Sequence, residues 1–156
     1  MKIFSLLAVC SFLLAGCATA PMTSGSLDAE AKQFKPDPGM ASIYVFRNVD
    51  FGHALEAKTW LDGRFAGVVA PNTYQLLVVP PGDHILSMSQ YGSVLDVRKD
   101  KQYGRSVTVE AGKNYFFSVS MMASLTSTVS LASVTEEEGR KEILRLKRAE
   151  ATSYYE

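Results

Sequence analysis

TWLDGRFAGVV, residues 59–69, is the stretch from which the fold is read. Strand-forming residues stand on both sides of Asp62-Gly63: Thr59-Trp60-Leu61 before it and Arg64–Val69 after it. A tight type I′ turn needs positive φ at both central residues, and this dipeptide tolerates it. The segment therefore predicts a β-hairpin. Gly67, inside the second run, predicts a bulge or a place where crowding must be relieved.

Working outward, the chain reads as strand after strand. Ala41–Arg47 (ASIYVFR) is β-branched and aromatic, with apolar residues on both faces. Tyr74–Val79 has the continuous apolar character of a buried strand and stops at Pro80-Pro81-Gly82-Asp83. His84–Gln90 follows, with Leu86 and Met88 alternating against Ser87 and Ser89. Arg105–Glu110 alternates Val107 and Val109 with Ser106 and Thr108; Ala111-Gly112-Lys113 then turns the chain into Asn114–Met121. Tyr115, Phe117, Val119 and Met121 share one face of that run, and Val129–Val134 is the last strand expected. Turn signals at this spacing predict an all-β antiparallel β-sandwich.

One C-terminal α-helix breaks the pattern, expected over 136–149. Thr135 with Glu138 has the form of a capping box, and Glu136–Glu138 place acid at the positive end of the helix dipole. Arg145, Lys147 and Arg148 supply base near the other end, and Ile143 and Leu146 form a narrow apolar stripe. Gly139 costs about 1 kcal/mol relative to Ala inside a helix. It therefore points to close packing or to a functional reason.

The N-terminus is of another kind. After Lys2 the chain is apolar from Ile3 to Ala15, broken by Ser5, Cys10 and Ser11. The run falls short of the roughly 20 residues a membrane span needs and has the form of a secretory signal. It ends in Leu14-Ala15-Gly16-Cys17, which resembles the lipobox of bacterial lipoproteins, in which the cysteine sulfur receives a diacylglycerol before cleavage. Cys17 is the expected lipidation site, residues 1–16 the signal peptide, and Cys10 is lost with it. The resemblance implies several acyl chains, enough for stable anchoring; Ala18 in second place favours the outer membrane. Residues 17–39, rich in Ala, Ser, Thr, Pro and Gly, read as the lipidated N-terminus and a flexible tether, with a weak helix signal near Leu27–Phe34. The folded domain is expected over 40–150.

KPDPGMASIYVFRN (35–48), LDGRFAG (61–67), TYQLLVVPPGDH (73–84), AGKNYFF (111–117) and VTEEEGRKEI (134–143) together resemble the DUF2846 lipoproteins of the bacterial envelope. The resemblance spans about 35–146 and implies a domain akin to PEGA and transthyretin-like β-sandwiches. Val69-Ala70-Pro71 departs from the Thr-Pro that PEGA repeats usually show there. The shared residues are turn and strand residues, so the resemblance implies a scaffold and carries over no activity.

Composition limits the chemistry. The 16 basic and 16 acidic residues balance, and loss of Lys2 leaves one acid in excess. No basic footprint for nucleic acid follows from that. The two histidines, His53 and His84, stand 31 positions apart without ligand spacing for zinc, and no HExxH, GxSxG or phosphate-loop motif occurs. No metal and no cofactor is expected. His84, in PPGDH, reads as a turn residue and His53 as a solvated loop residue. Weak binding candidates are Trp60, as a stacking platform for sugar, and Arg98, Lys99, Lys101 and Arg105 around one tyrosine, for anionic lipid or glycan phosphate. A core tryptophan and a solvated hairpin tip are the plainer readings of each. The expectation is a non-catalytic binding or structural module of the envelope, facing the periplasm, with an envelope protein or glycan as partner. An enzyme of envelope polymers with an unrecognised site is the alternative, and it would gather His53 or His84 with carboxylates in a deep pocket.

Overall fold

A computed structural model describes residues 20–48, 57–90, 104–122 and 128–152. In chain order its elements are α1 (Gly25–Ala31), β1 (Ala41–Arg47), β2 (Ala57–Leu61), β3 (Arg64–Val69), β4 (Thr73–Val79), β5 (Gly82–Gln90), β6 (Arg105–Val109), β7 (Asn114–Met122), β8 (Thr128–Val134), α2 (Glu136–Ile143) and β9 (Lys147–Arg148). The strands form two sheets, ordered β8-β7-β1-β4-β9 and β3-β2-β5-β6. This is the expected β-sandwich with a C-terminal helix. Two of its pairings, β1 with β7 and β4 with β9, are parallel.

The composition of β1 explains the layering. All seven of its residues are buried. Ala41, Ile43 and Val45 point into the core between the sheets, with Leu61, Leu77, Leu86, Phe117 and Val119. Tyr44 and Phe46 point the other way, into a second cluster with Ala31, Phe34, Tyr74, Phe116, Ile143 and Leu146. A strand apolar on both faces needs cover on both, and α1 and α2 supply it on the outer side. Burying each of the larger apolar side chains, such as Ile43, Val45 or Phe46, contributes about 1.5–3 kcal/mol relative to exposing it.

The 59–69 hairpin forms as read, with Asp62 at φ 51° and Gly63 at φ 76°. Both readings of Gly67 hold. The β2–β3 register shifts between Thr59 and Trp60, marking a bulge. Gly67 sits at φ 139°, where a Cβ would collide with the buried Gln75 amide and lie 2.9 Å from the Glu150 carbonyl oxygen. After β3, the Ala70-Pro71-Asn72-Thr73 turn carries the chain from one sheet to the other. Asn72 adopts φ 59°, and Thr73 Oγ1 both accepts from the Ala70 amide at 3.0 Å and donates to its carbonyl at 2.8 Å.

Two expectations are corrected. Residues 20–39 are not a flexible tether: they belong to the folded unit. Ser24 caps α1, accepting from the Leu27 amide at 3.4 Å, and Ala20, Ala31 and Phe34 are buried. The helix expected over 136–149 stops at Ile143. Thr135 caps it, accepting from the Glu138 amide at 3.3 Å, but Lys147 and Arg148 run parallel to Thr73 and Tyr74 as β9. The exposed edge of β4 explains the switch, because its unpaired groups take backbone partners that a continued helix would withhold. Ala149 donates to the Tyr74 carbonyl at 2.7 Å. Gly139 answers to close packing: a Cβ there would overlap the Phe116 ring.

Candidate functional site

The N-terminal segment and the strand-like stretch 147–152 meet at one end of the sandwich, and a single carboxylate organises the junction. Asp28, in the first turn of α1, accepts from the Tyr74 hydroxyl at 2.7 Å and the Arg148 amide at 3.1 Å through Oδ1, and from Lys32 Nζ at 2.8 Å through Oδ2. Lys32 also donates to the Leu146 carbonyl at 2.7 Å, and Arg148 Nη1 to the Leu27 carbonyl at 3.0 Å. The Tyr44 hydroxyl donates to the Ala31 carbonyl at 2.8 Å. Burial by itself favours the neutral form of Asp28, but the bonds from Lys32 and Tyr74, the Lys32 charge and the Arg148 amide outweigh it. Its carboxyl is held below the ordinary value. Burial pushes the Tyr44 hydroxyl up to about 12 and, together with the bond to Asp28, raises that of Tyr74 as well. Both phenols thus remain donors at every physiological pH.

Backbone bonds continue the junction toward residue 20. Thr23 donates to the Arg148 carbonyl at 3.1 Å, Glu150 to the Pro21 carbonyl at 2.8 Å and Thr152 to the Ala66 carbonyl at 2.9 Å. Met22 bridges Ala149, and Gly67 bridges Ala151. The stretch 147–152 thereby runs from the β4 edge of one sheet to the β3 edge of the other. Ala20, Ala70 and Ala149 form a small buried cluster beneath Val68. Beside it lies a shallow groove of ≈ 370 Å³ lined by Ala20, Met22, Pro71, Asn72, Arg145 and Lys147 among others. Met22 is 42% exposed there.

The expected site residues fall in different places. Trp60 is on the outward face of the four-stranded sheet, since Ala57, Thr59 and Leu61 take the buried positions of β2. Its ring meets Phe65 edge-on at 5.4 Å, and its indole N–H donates to Ser89 Oγ at 2.9 Å. Arg105 is exposed at the start of β6, on the other edge strand of that sheet from Phe65. His84 is buried, with Nδ1 2.7 Å from Asp62 Oδ2 and Nε2 2.9 Å from the Pro80 carbonyl oxygen. The other Asp62 oxygen accepts from the Ile85 amide at 2.7 Å. His84 thus buttresses the hairpin and the Pro80-Pro81 corner, with both ring nitrogens engaged. Cys17, His53, Arg98, Lys99 and Lys101 lie outside the described residues, as do Cys10, residues 1–16 and Tyr154-Tyr155. Asp28, Lys32 and the groove at Met22 carry no motif in the sequence. The Asp28–Lys32 spacing of four in a helix was the available signal.

The family described as "Protein of unknown function (DUF2846)" matches residues 37–133. The chain belongs to the DUF2846 family. The matched stretch takes in β1 to β7 and most of β8, leaving α1, α2 and β9 outside it. A protein of Haemophilus influenzae, described as "Uncharacterized protein", is 32% identical over 141 residues, covering 89% of this chain and 79% of the relative.

Proposed function

We propose that this DUF2846 protein is a lipoprotein of the bacterial outer membrane, acylated at Cys17, and that its sandwich serves as a non-catalytic binding or structural module facing the periplasm. The observation that carries the reading is the placement of Cys17. It follows the apolar run Ile3–Ala15 and the small pair Ala15-Gly16, and comes three residues before Ala20, which is buried in the fold. A thiol at that point has a chemical use as the acceptor of a diacylglycerol, and more than one acyl chain gives stable anchoring. The polar groups of the described domain speak for a scaffold. Asp28, Lys32, Tyr44 and Tyr74 are spent on holding α1, and Asp62 and His84 on holding the hairpin.

The test is cell fractionation with radiolabelled palmitate, comparing the native chain with Cys17→Ser. The reading expects the native chain labelled and in the outer-membrane fraction, and the variant unlabelled. A native chain without label, recovered in the soluble periplasm, overturns it. In-cell crosslinking of the labelled chain then tests for a protein partner of the module.

A further inference from the structure

The groove at Met22 opens where the chain leads back to Cys17, and that continuity says what should cover it. Ala20 is buried and pinned by the neighbouring Pro21–Glu150, Met22–Ala149 and Thr23–Arg148 contacts. Three residues of extended chain reach at most about 11 Å. The headgroup layer on one side of a bilayer is about 5–8 Å thick. A lipid-bearing Cys17 therefore leaves almost no slack once the headgroups are crossed. The surface around Ala20 must meet the bilayer, whereas a tether of 20 or more residues would have let the domain turn freely.

That surface has the composition such a contact needs. Met22 is an exposed apolar side chain, Pro71 and Asn72 form the adjacent turn, and Arg145 and Lys147 are exposed cations on the groove wall. Glu142 Oε1 lies 4.0 Å from Arg145 Nη1, and its other oxygen accepts from Asn48 Nδ2 at 3.0 Å. At the opposite end of β1 and β4, the turn at Gly112-Lys113 pairs its own charges, Lys113 lying 2.8 Å from Glu110.

We propose that the domain docks on the bilayer surface through this end, with Met22 and the Pro71-Asn72 turn against the headgroups and Arg145 and Lys147 contacting anionic lipid phosphates. The inference rests on Cys17 being the anchor. Its occupant is a lipid surface, and the two cations are expected to favour anionic over neutral lipid by about 30-fold in docking equilibrium.

The test separates docking from acylation by supplying the anchor chemically. The chain from Cys17 onward contains every residue of the contacts described above, and Cys17 is its sole cysteine. It is coupled through that thiol to maleimide-headgroup lipid in vesicles of phosphatidylcholine alone or with phosphatidylglycerol. Lysines are then modified with an amine-reactive reagent and quantified by mass spectrometry, each relative to the uncoupled chain. Docking predicts that Lys147 is protected at least fivefold on phosphatidylglycerol vesicles while Lys113 is unchanged, and that Arg145→Gln or high salt reduces the protection. Equal reactivity of Lys147 with and without vesicles overturns the proposal. Equal protection on neutral vesicles overturns the role of the cations. Concentration-dependent protection without vesicles assigns the surface to a second copy of the chain and overturns the lipid assignment. Palmitate labelling in cells reports on the acylation of Cys17 independently of all of these.

Discussion

Gly139→Ala reverses the usual sign of a helix substitution. In an open helix interior, replacing Gly with Ala gains about 1 kcal/mol of stability, because Gly loses more backbone freedom on folding. Here the new methyl group would overlap Cβ, Cγ and Cδ1 of Phe116. Those atoms lie near the β7 backbone, so no rotation of a flexible tip relieves the clash. The ring is also confined, stacked on Tyr44 at 5.0 Å and 11° and tilted against Phe34 at 6.0 Å. Overpacking a filled core costs about 1–3 kcal/mol. Overlap with three atoms at the root of a confined ring puts this site in the upper part of that range, about 2–3 kcal/mol. With the propensity gain subtracted, the expected outcome is a net loss of about 1–2 kcal/mol, read as a drop of about 4–7 °C in Tm for a domain of this size. Chemical denaturation of the native chain, Gly139→Ala, Phe116→Leu and the double variant completes a cycle. The smaller Leu should make room, so the double variant should be more stable than the two single losses summed. A Gly139→Ala chain more stable than the native one would refute the packing account.

Removing the Asp28 carboxylate with Asp28→Asn should loosen α1 selectively, with faster hydrogen exchange at residues 25–32 and a stability loss of about 1–3 kcal/mol. Because the folded-state value of Asp28 is lowered, its contribution is present above the ordinary carboxylate value of 3.8 and is lost as pH falls through the folded value. Denaturation followed from pH 6 to pH 2 should therefore show a steeper acid loss in the native chain than in Asp28→Asn. Gly67→Ala combines an unfavourable φ with contact against Gln75 and the Glu150 carbonyl, and should cost upwards of about 2 kcal/mol in thermal unfolding. Asp62→Ala should cost about 2–4 kcal/mol, since it loses a residue suited to positive φ and leaves buried His84 without its carboxylate; a Tm within error of the native chain would count against that buttress.

The parts of the fold that local rules govern were legible in the sequence. Asp62-Gly63 could hardly be other than a hairpin, Thr135 could cap, and the two-sided apolar character of Ala41–Arg47 announced a strand covered on both faces. The parts set by distant partners were not. Residues 20–34 bring little more to the core than Ala20, Ala31 and Phe34, and their docking depends on main-chain bonds and one carboxylate, which composition does not register. KRAEA (147–151) has helical propensity, yet the open β4 edge draws it into strand pairing. Trp60 corrects the plainer reading of a core tryptophan: Ala57, Thr59 and Leu61 take the buried positions of β2, which leaves Lys58 and Trp60 on the outward face. The groove at Met22 joins residues from the segments 20–22, 70–73 and 145–147, so no local pattern could have revealed it.

The central claim is that this folded domain is held to a membrane through Cys17. Mass spectrometry of the N-terminal peptide, from chain purified out of bacterial membranes, tests it most directly. The account predicts a chain beginning at Cys17, with a diacylglycerol on the sulfur and a further acyl group on the amine. An N-terminus elsewhere, or an unmodified Cys17, would contradict it.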